Sequence, residues 1–341
     1  TGGPCGGKTT ALDRLAGFFR DNGFKVYTVP EAATLMFMNG VSFPDIADPT
    51  MRFSFQWSIL RHVTLQTEME DGFRRVALAQ PRPAVLLCDR GLLDGAAYMP
   101  KSEWERLLAA RGLNAVALRE GRYDGVFHLV TAADGAEAFY SLESNATRTE
   151  TLELAREMDA NTQRVWLGHP QHVVFDNSTD FDRKIARIVA AASRIAGLPA
   201  LQREDRKFVL EEWPDLAAFP VPHQEFEVEK IYLRHEEEIE GEGQKEQQGA
   251  GGCSSGGRCN GCDDAPPTHR YSFVRKRTQN GFSAYGLTTV RQLPTRQCCE
   301  TKRIIGGDEY ARLVRLSADP RRHVVRQRRV SFLWRHQSFV L

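Results

Sequence analysis

What the sequence has little of narrows its class first. No run of eighteen apolar residues occurs in its 341 residues, so nothing in it reads as a membrane-crossing helix. It opens without a basic-then-apolar leader, so no secretory signal is read there. Cysteine is scarce, seven at irregular spacing, which suits a reducing compartment and argues against a disulfide framework. The single Cys259-x-x-Cys262, with Cys253 and His269 nearby, matches no standard zinc spacing. Asn-Lys-x-Asp is missing, so no motif picks guanine over adenine. Net charge is also small, +1, but it hides an asymmetry. Residues 1–219 hold 25 Lys/Arg against 29 Asp/Glu, residues 220–268 hold 4 against 11, and residues 269–341 hold 16 against 4. The basic final stretch asks for an anionic partner.

What is present begins at the first residue. Thr1-Gly2-Gly3-Pro4-Cys5-Gly6-Gly7-Lys8-Thr9-Thr10 contains G-x-x-x-x-G-K-[ST], the phosphate-binding loop. Glycines let main-chain N–H groups curl toward an anion, and the helix that follows adds its positive end. Lys8 is expected on the β- and γ-phosphates and the Thr9 hydroxyl on Mg²⁺. The amphipathic stretch Ala11, Leu12, Leu15, Phe18, Phe19 supports that helix. An apolar strand normally precedes such a loop, so the first strand is expected to be missing.

Strand and helix alternate through residues 1–200, which predicts an α/β P-loop domain, a parallel sheet with helices on both faces. Lys25–Val29 reads as a strand, and Glu31 just past it is either a general base or a surface glutamate opening a helix. Gln56, in a helical stretch over residues 50–80, is a solvated glutamine or an acceptor-side contact to a base edge. Ala84–Cys88 reads as a buried strand ending at Asp89, where P-loop enzymes place a second Mg²⁺ contact. Arg90 is read as a phosphate clamp, and Arg148 and Arg156 as lid arginines. Val126–Val130 and Val173–Asn177 read as further strands, and Asn177-Ser178-Thr179 as a base-side loop.

Pro214, Pro220 and Pro222 mark a boundary, giving a nucleotide-binding domain over 1–219 and a mostly antiparallel β domain over 220–341, expected to be cut short at its end. Glu225, Glu227 and Glu229 alternate along the first strand. Residues 235–268 are Glu-, Gln- and Gly-rich and are expected to form a disordered insert. Beyond them the pattern is β, with Asn280-Gly281 as a hairpin turn. Arg275, Arg277, Arg291, Lys302, Arg326, Arg328 and Arg329 recur along these strands, which suggests a charge-lined concave interior fit for phosphate. Whether Arg328 or Arg329 points inward depends on register.

The first domain resembles P-loop kinases of the nicotinamide-riboside and deoxynucleoside type, through Gly2–Thr9, Glu31, Gln56 and Asp89-Arg90-Gly91. The basic β region resembles the CYTH, or triphosphate-tunnel, fold, although Glu229 stands where that fold has lysine. The two in this order, with Val-Pro-Glu-Ala-Ala-Thr, Cys-Asp-Arg-Gly, His-Leu-Val-Thr-Ala-Ala-Asp-Gly-Ala-Glu and Asp-Asn-Ser-Thr-Asp-Phe, resemble the TRPL translocation defect protein family. That resemblance implies a cytoplasmic, peripherally membrane-associated protein. It would bind GTP (or ATP) with Mg²⁺ and anionic phospholipids (phosphoinositides, phosphatidic acid), act in trafficking of membrane-protein cargo, and engage no nucleic acid. The alternatives are a nucleoside kinase with a phosphate-sensing β domain and a tunnel-fold triphosphatase.

Overall fold

The computed structural model describes residues 1–42, 45, 47–51, 53–55, 65–110, 112–140, 151–198, 208–234, 270–292 and 298–341. Gln56, Arg148, the 235–268 insert and its cysteines lie outside the described residues.

Two compact units divide the chain: Thr1–Ala192 with Glu211–Glu225 and Val330–Leu341, and Ser193–Leu210 with Phe226–Arg329.

In the first unit, α1 (Lys8–Asp21) leads to β1 (Lys25–Val29), and Gly23, in the left-handed region, closes the helix. Then come α2 (Ala32–Met38), α3 (Leu65–Leu78) and β2 (Ala84–Cys88), which pairs with β1 in parallel from Lys25↔Ala84 to Val29↔Cys88. A 3₁₀ helix (Leu92–Tyr98), α4 (Lys101–Ala109) and α5 (Ala115–Glu120) follow. Next, β3 (Val126–Leu129), α6 (Leu152–Val165), β4 (His172–Phe175) and α7 (Phe181–Ile195) complete the alternation, with β3 and β4 parallel. Gly2 bridges Leu129 in the parallel sense, so the loop opens directly alongside β3. Parallel strands need crossover helices, and each interval between them here holds at least one. Leu92, Leu93, Trp104, Leu107, Leu108, Leu118, Val126 and Trp166 form an apolar core.

The antiparallel sheet is curled and six-stranded, in the order β10-β9-β5-β6-β7-β8. Its strands are β5 (His223–Leu233), β6 (Arg270–Gln279), β7 (Phe282–Gln292), β8 (Cys298–Ile305), β9 (Val325–Trp334) and β10 (Gln337–Val340), with α8 (Gly307–Ser317) after β8. Asn280 and Gly281 both take positive φ, 51° and 79°, the geometry that a tight β6–β7 hairpin requires. On one face Val274, Ile305 and Tyr310 bury a core with Ile231, Leu233, Tyr285, Leu287, Leu313 and Val314, so α8 covers that side.

At the β9–β10 turn, Arg335 and His336 adopt left-handed backbone, φ 46° and 61°. His336 Nε2 lies 3.1 Å from Asp134 Oδ2, and its Nδ1 lies 3.2 Å from Gln163 Nε2. These closing residues therefore fasten to the β3–α6 connection and to α6, all within the first unit.

Candidate functional site

The amino-terminal loop is built by exclusion of side chains and by borrowed hydrogen bonds. Gly7, at φ 83°, is the N-cap of α1 and supplies no side-chain cap. The first-turn amides of Lys8, Thr9 and Thr10 are thus without the usual capping oxygen, the arrangement that receives an anion. Gly3 approaches α6 so closely that a Cβ there would stand 2.6 Å from Asp159 Oδ1. Lys8 Nζ folds back onto the loop, donating to Gly2 O at 3.1 Å and Gly3 O at 2.8 Å. Burial, with Arg90 nearby, pushes the Lys8 ammonium down to about 7.

Beneath the loop sits a layer that spacing alone did not reveal. Asp159 Oδ1 accepts from Gly3 N at 2.7 Å and Thr131 N at 3.1 Å, and lies 3.1 Å from His128 Nε2. Burial opposes the Asp159 charge, but His128 and those two amides outweigh it and hold the carboxyl below its ordinary range. Thr131 Oγ1 donates to Pro4 O at 2.5 Å. Asn177 donates to Thr131 O and Asp134 O and accepts from Lys184 Nζ at 2.7 Å, so its amide is engaged within the protein. Burial lowers Lys184 to about 8.

Arg90 also serves the loop, donating to Gly2 O at 3.0 Å, with Glu31 Oε1 at 3.6 Å and Asp94 Oδ2 at 3.6 Å. Buried Asp94 accepts from Thr1 Oγ1 at 2.7 Å and Trp166 Nε1 at 2.6 Å. Glu31 is the N-cap residue of α2 and accepts from Thr34 Oγ1 at 2.8 Å. The structure thus gathers Glu31, Asp89, Arg90 and Lys8 at the loop. Arg156 is placed elsewhere in the unit's contacts, donating to Ala133 O at 2.6 Å and Glu137 Oε1 at 3.0 Å. The i, i+4 relation of Arg90 and Asp94 was the one signal by which Asp94 was findable; Asp159 carried none, and His128 only its place in a motif of the family resemblance.

This glycine loop, its lysine and its uncapped helix make a phosphate cradle, and the sequence comparison agrees. Residues 1–184 match the family described as AAA domain. The chain belongs to that family. No protein among the curated sequences matches it. The AAA-domain unit is accordingly a nucleotide-binding P-loop domain, which generally uses Mg²⁺ with its nucleotide. Its residues fit that ion: Asp89 Oδ1 is buried with no hydrogen-bond partner among the described residues. Asp89 follows β2 directly, and oxygen donors of this kind, few in number and completed by phosphates, are what Mg²⁺ takes. Thr9, in the first turn of α1, is exposed, its hydroxyl available as a second donor. Among the described residues no helix is long and apolar enough to cross a membrane.

Along the antiparallel sheet the register sorts the charges. Lys230 stands opposite Arg275 and Val228 opposite Arg277, while Phe273 pairs with Thr288 and Thr288 with Lys302, so Lys230, Arg275, Arg277 and Lys302 share one face of the sheet. Arg277 lies 3.8 Å over the Phe226 ring and Arg275 5.5 Å over Phe273. Alternation along β9 sends Arg329, not Arg328, to the face opposite Arg326, and burial first, then Arg329, pushes the Arg275 guanidinium down. Lys302 Nζ is 3.2 Å from Glu300. The other face holds the acidic stripe: Glu229 takes Arg326 at 3.0 Å and the Tyr310 hydroxyl at 3.0 Å. By alternation Glu225 and Glu227 share it with Glu229, and Arg328 shares it with Arg326; the register adds Arg291. The sheet therefore separates Glu225, Glu227, Arg291, Arg326 and Arg328 from Arg275, Arg277 and Lys302.

Proposed function

We propose that the chain is a nucleotide-binding protein with a second site for phosphate groups. It takes GTP (or ATP) with Mg²⁺ at the amino-terminal loop and anionic phospholipid headgroups at the Arg275 face, and serves membrane-protein trafficking at a membrane surface. The observation that carries the second site is Arg275: its guanidinium is largely buried, crowded by Arg329, and its Nε has no hydrogen-bond partner among the described residues. An anion relieves such crowding, and phosphate matches the guanidinium fork. Guanine, the lipid class and the trafficking role rest on the resemblance to the TRPL translocation defect family.

Titration of the whole chain with GTP and ATP, and flotation with phosphatidic acid or phosphoinositide vesicles against phosphatidylcholine vesicles, tests both halves. Vesicle binding is expected only with the anionic lipids and falls as salt rises. Equal binding to both vesicle types removes the lipid half.

A nucleoside kinase is the second reading, favoured by one observation: Glu31 stands 3.6 Å from Arg90, whose other nitrogen holds the loop carbonyl of Gly2. Glu31 would accept the proton of an acceptor hydroxyl as that oxygen bonds to the γ-phosphorus and the nucleoside diphosphate leaves. ATP consumption that requires an added nucleoside and is lost in Glu31→Gln supports it; no consumption across an acceptor panel overturns it. Metal-assisted triphosphate hydrolysis finds less support, because Glu225 and Glu227 lie across the sheet from Arg275 and Arg277.

A further inference from the structure

An aromatic ring flanks the amino-terminal cradle. Phe181 is the first residue of α7 and its side chain is 44% exposed. A Cβ built on Gly7 would stand 2.6 Å from Phe181 Cε2 and 2.9 Å from Cζ, so one edge of the ring meets the very glycine that caps α1. Contact is through an edge, and the residue's exposure leaves ring surface to solvent. The first-turn amides offered to phosphate are therefore bordered by an exposed π surface.

That surface is held still. Asp180 Oδ1 accepts from Arg183 N at 2.8 Å, capping α7, and Lys184 N donates to Asp180 O at 3.0 Å. A turn earlier, Asn177 ties the loop to Thr131 O and Asp134 O, and buried Lys184 closes the link through Asn177 Oδ1. With its side-chain amide engaged by main chain and lysine, Asn177 is not the group that reads a base edge. An exposed phenylalanine beside a polar cradle adds little to the core, and a ring fixed at both ends of its loop loses little freedom on binding.

We propose that Phe181 is the stacking platform for the base of the nucleotide held by Gly2–Thr9, and that it selects by ring area. Stacking accepts every base, because each has a π face. Phenylalanine has no donor or acceptor, so the platform prefers purine to pyrimidine triphosphates by overlap and separates guanine from adenine weakly. The absence of Asn-Lys-x-Asp agrees with a site of this kind. The inference rests on the nucleotide reading of the same loop.

The test is competition against a fluorescent GTP analogue bound with Mg²⁺, which reads only the shared site. The competitors are GTP, ATP, CTP and base-free ribose 5-triphosphate, each against wild type, Phe181→Leu and Phe181→Trp. Phe181→Leu keeps apolar bulk on Gly7 without a π face; it is expected to weaken GTP and ATP about tenfold, to weaken CTP less, and to leave ribose triphosphate unchanged. Phe181→Trp restores purine binding. Equal weakening of ribose triphosphate and GTP means that the ring only props the loop and overturns the proposal, as does unchanged GTP affinity in Phe181→Leu. A wild-type chain that binds no nucleotide removes the nucleotide site itself, and the platform with it.

Discussion

The amino-terminal loop and the basic face of the antiparallel sheet solve opposite problems. At the amino-terminal loop the cationic groups are already engaged: Lys8 rests on two loop carbonyls and Arg90 on one of them. On the sheet face Arg275 and Arg329 are both pushed down by burial, and for Arg275 by its neighbour as well. The first region stores its charge in self-contacts that a ligand must displace. The second holds charge that its surroundings penalise, so a ligand relieves it. Geometry ought then to dominate specificity at the loop, and electrostatics at the sheet.

Four experiments sharpen or break that contrast. The largest effect belongs to Lys8→Ala, expected to weaken nucleotide by at least about thirtyfold, since truncating a buried charged partner costs about 2–5 kcal/mol. Calorimetric titration measures it, with vesicle binding unchanged; a variant that loses both activities would erase the distinction. Next, Arg275→Ala combined with Arg277→Ala is expected to weaken binding to phosphatidic acid vesicles by about thirtyfold, at about 1 kcal/mol per basic residue, while nucleotide affinity holds.

The third experiment concerns pH. Lys8 in the ligand-free loop titrates at about 7, and a bound triphosphate favours its charged form. Protonation is thus linked to binding: affinity is full below pH 7 and falls as pH rises above it, by up to about tenfold per unit. Titrations in buffers of different ionisation enthalpy should show proton uptake at pH 8 and little at pH 6, and Lys8→Ala should abolish the uptake. Proton release at pH 8 would refute the assignment. The smallest effect is His336→Ala, expected to lower the stability of the first unit by about 1 kcal/mol, the worth of an ordinary hydrogen bond, read as a drop in melting temperature with nucleotide affinity nearly intact.

Local chemistry was readable where one peptide stretch carries it whole. The P-loop signature, the Asn280-Gly281 turn and the apolar runs at Ala84–Cys88 and Val126–Leu129 each contain their own reason for folding. The layer under the cradle was not readable, because Asp159 matters only once α6 brings it to Gly3, 156 residues away in sequence. The sheet was intermediate. Alternation put Glu225, Glu227 and Glu229 on one side of β5, but only the pairing of Lys230 with Arg275 shows that the buried guanidinium groups lie on the other. Position Glu229 illustrates the point: its carboxylate answers Arg326 and Tyr310, not Arg275.

The clasp of His336 on Asp134 and Gln163 has a consequence for how the molecule is made. Val330–Leu341 belong to the same compact unit as the phosphate loop, far away in sequence. During synthesis residues 1–192 emerge first, yet part of their unit's contacts wait until Val330–Leu341 have followed them off the ribosome. Excision at residue 219 would yield a nucleotide-binding fragment that lacks its own closing segment.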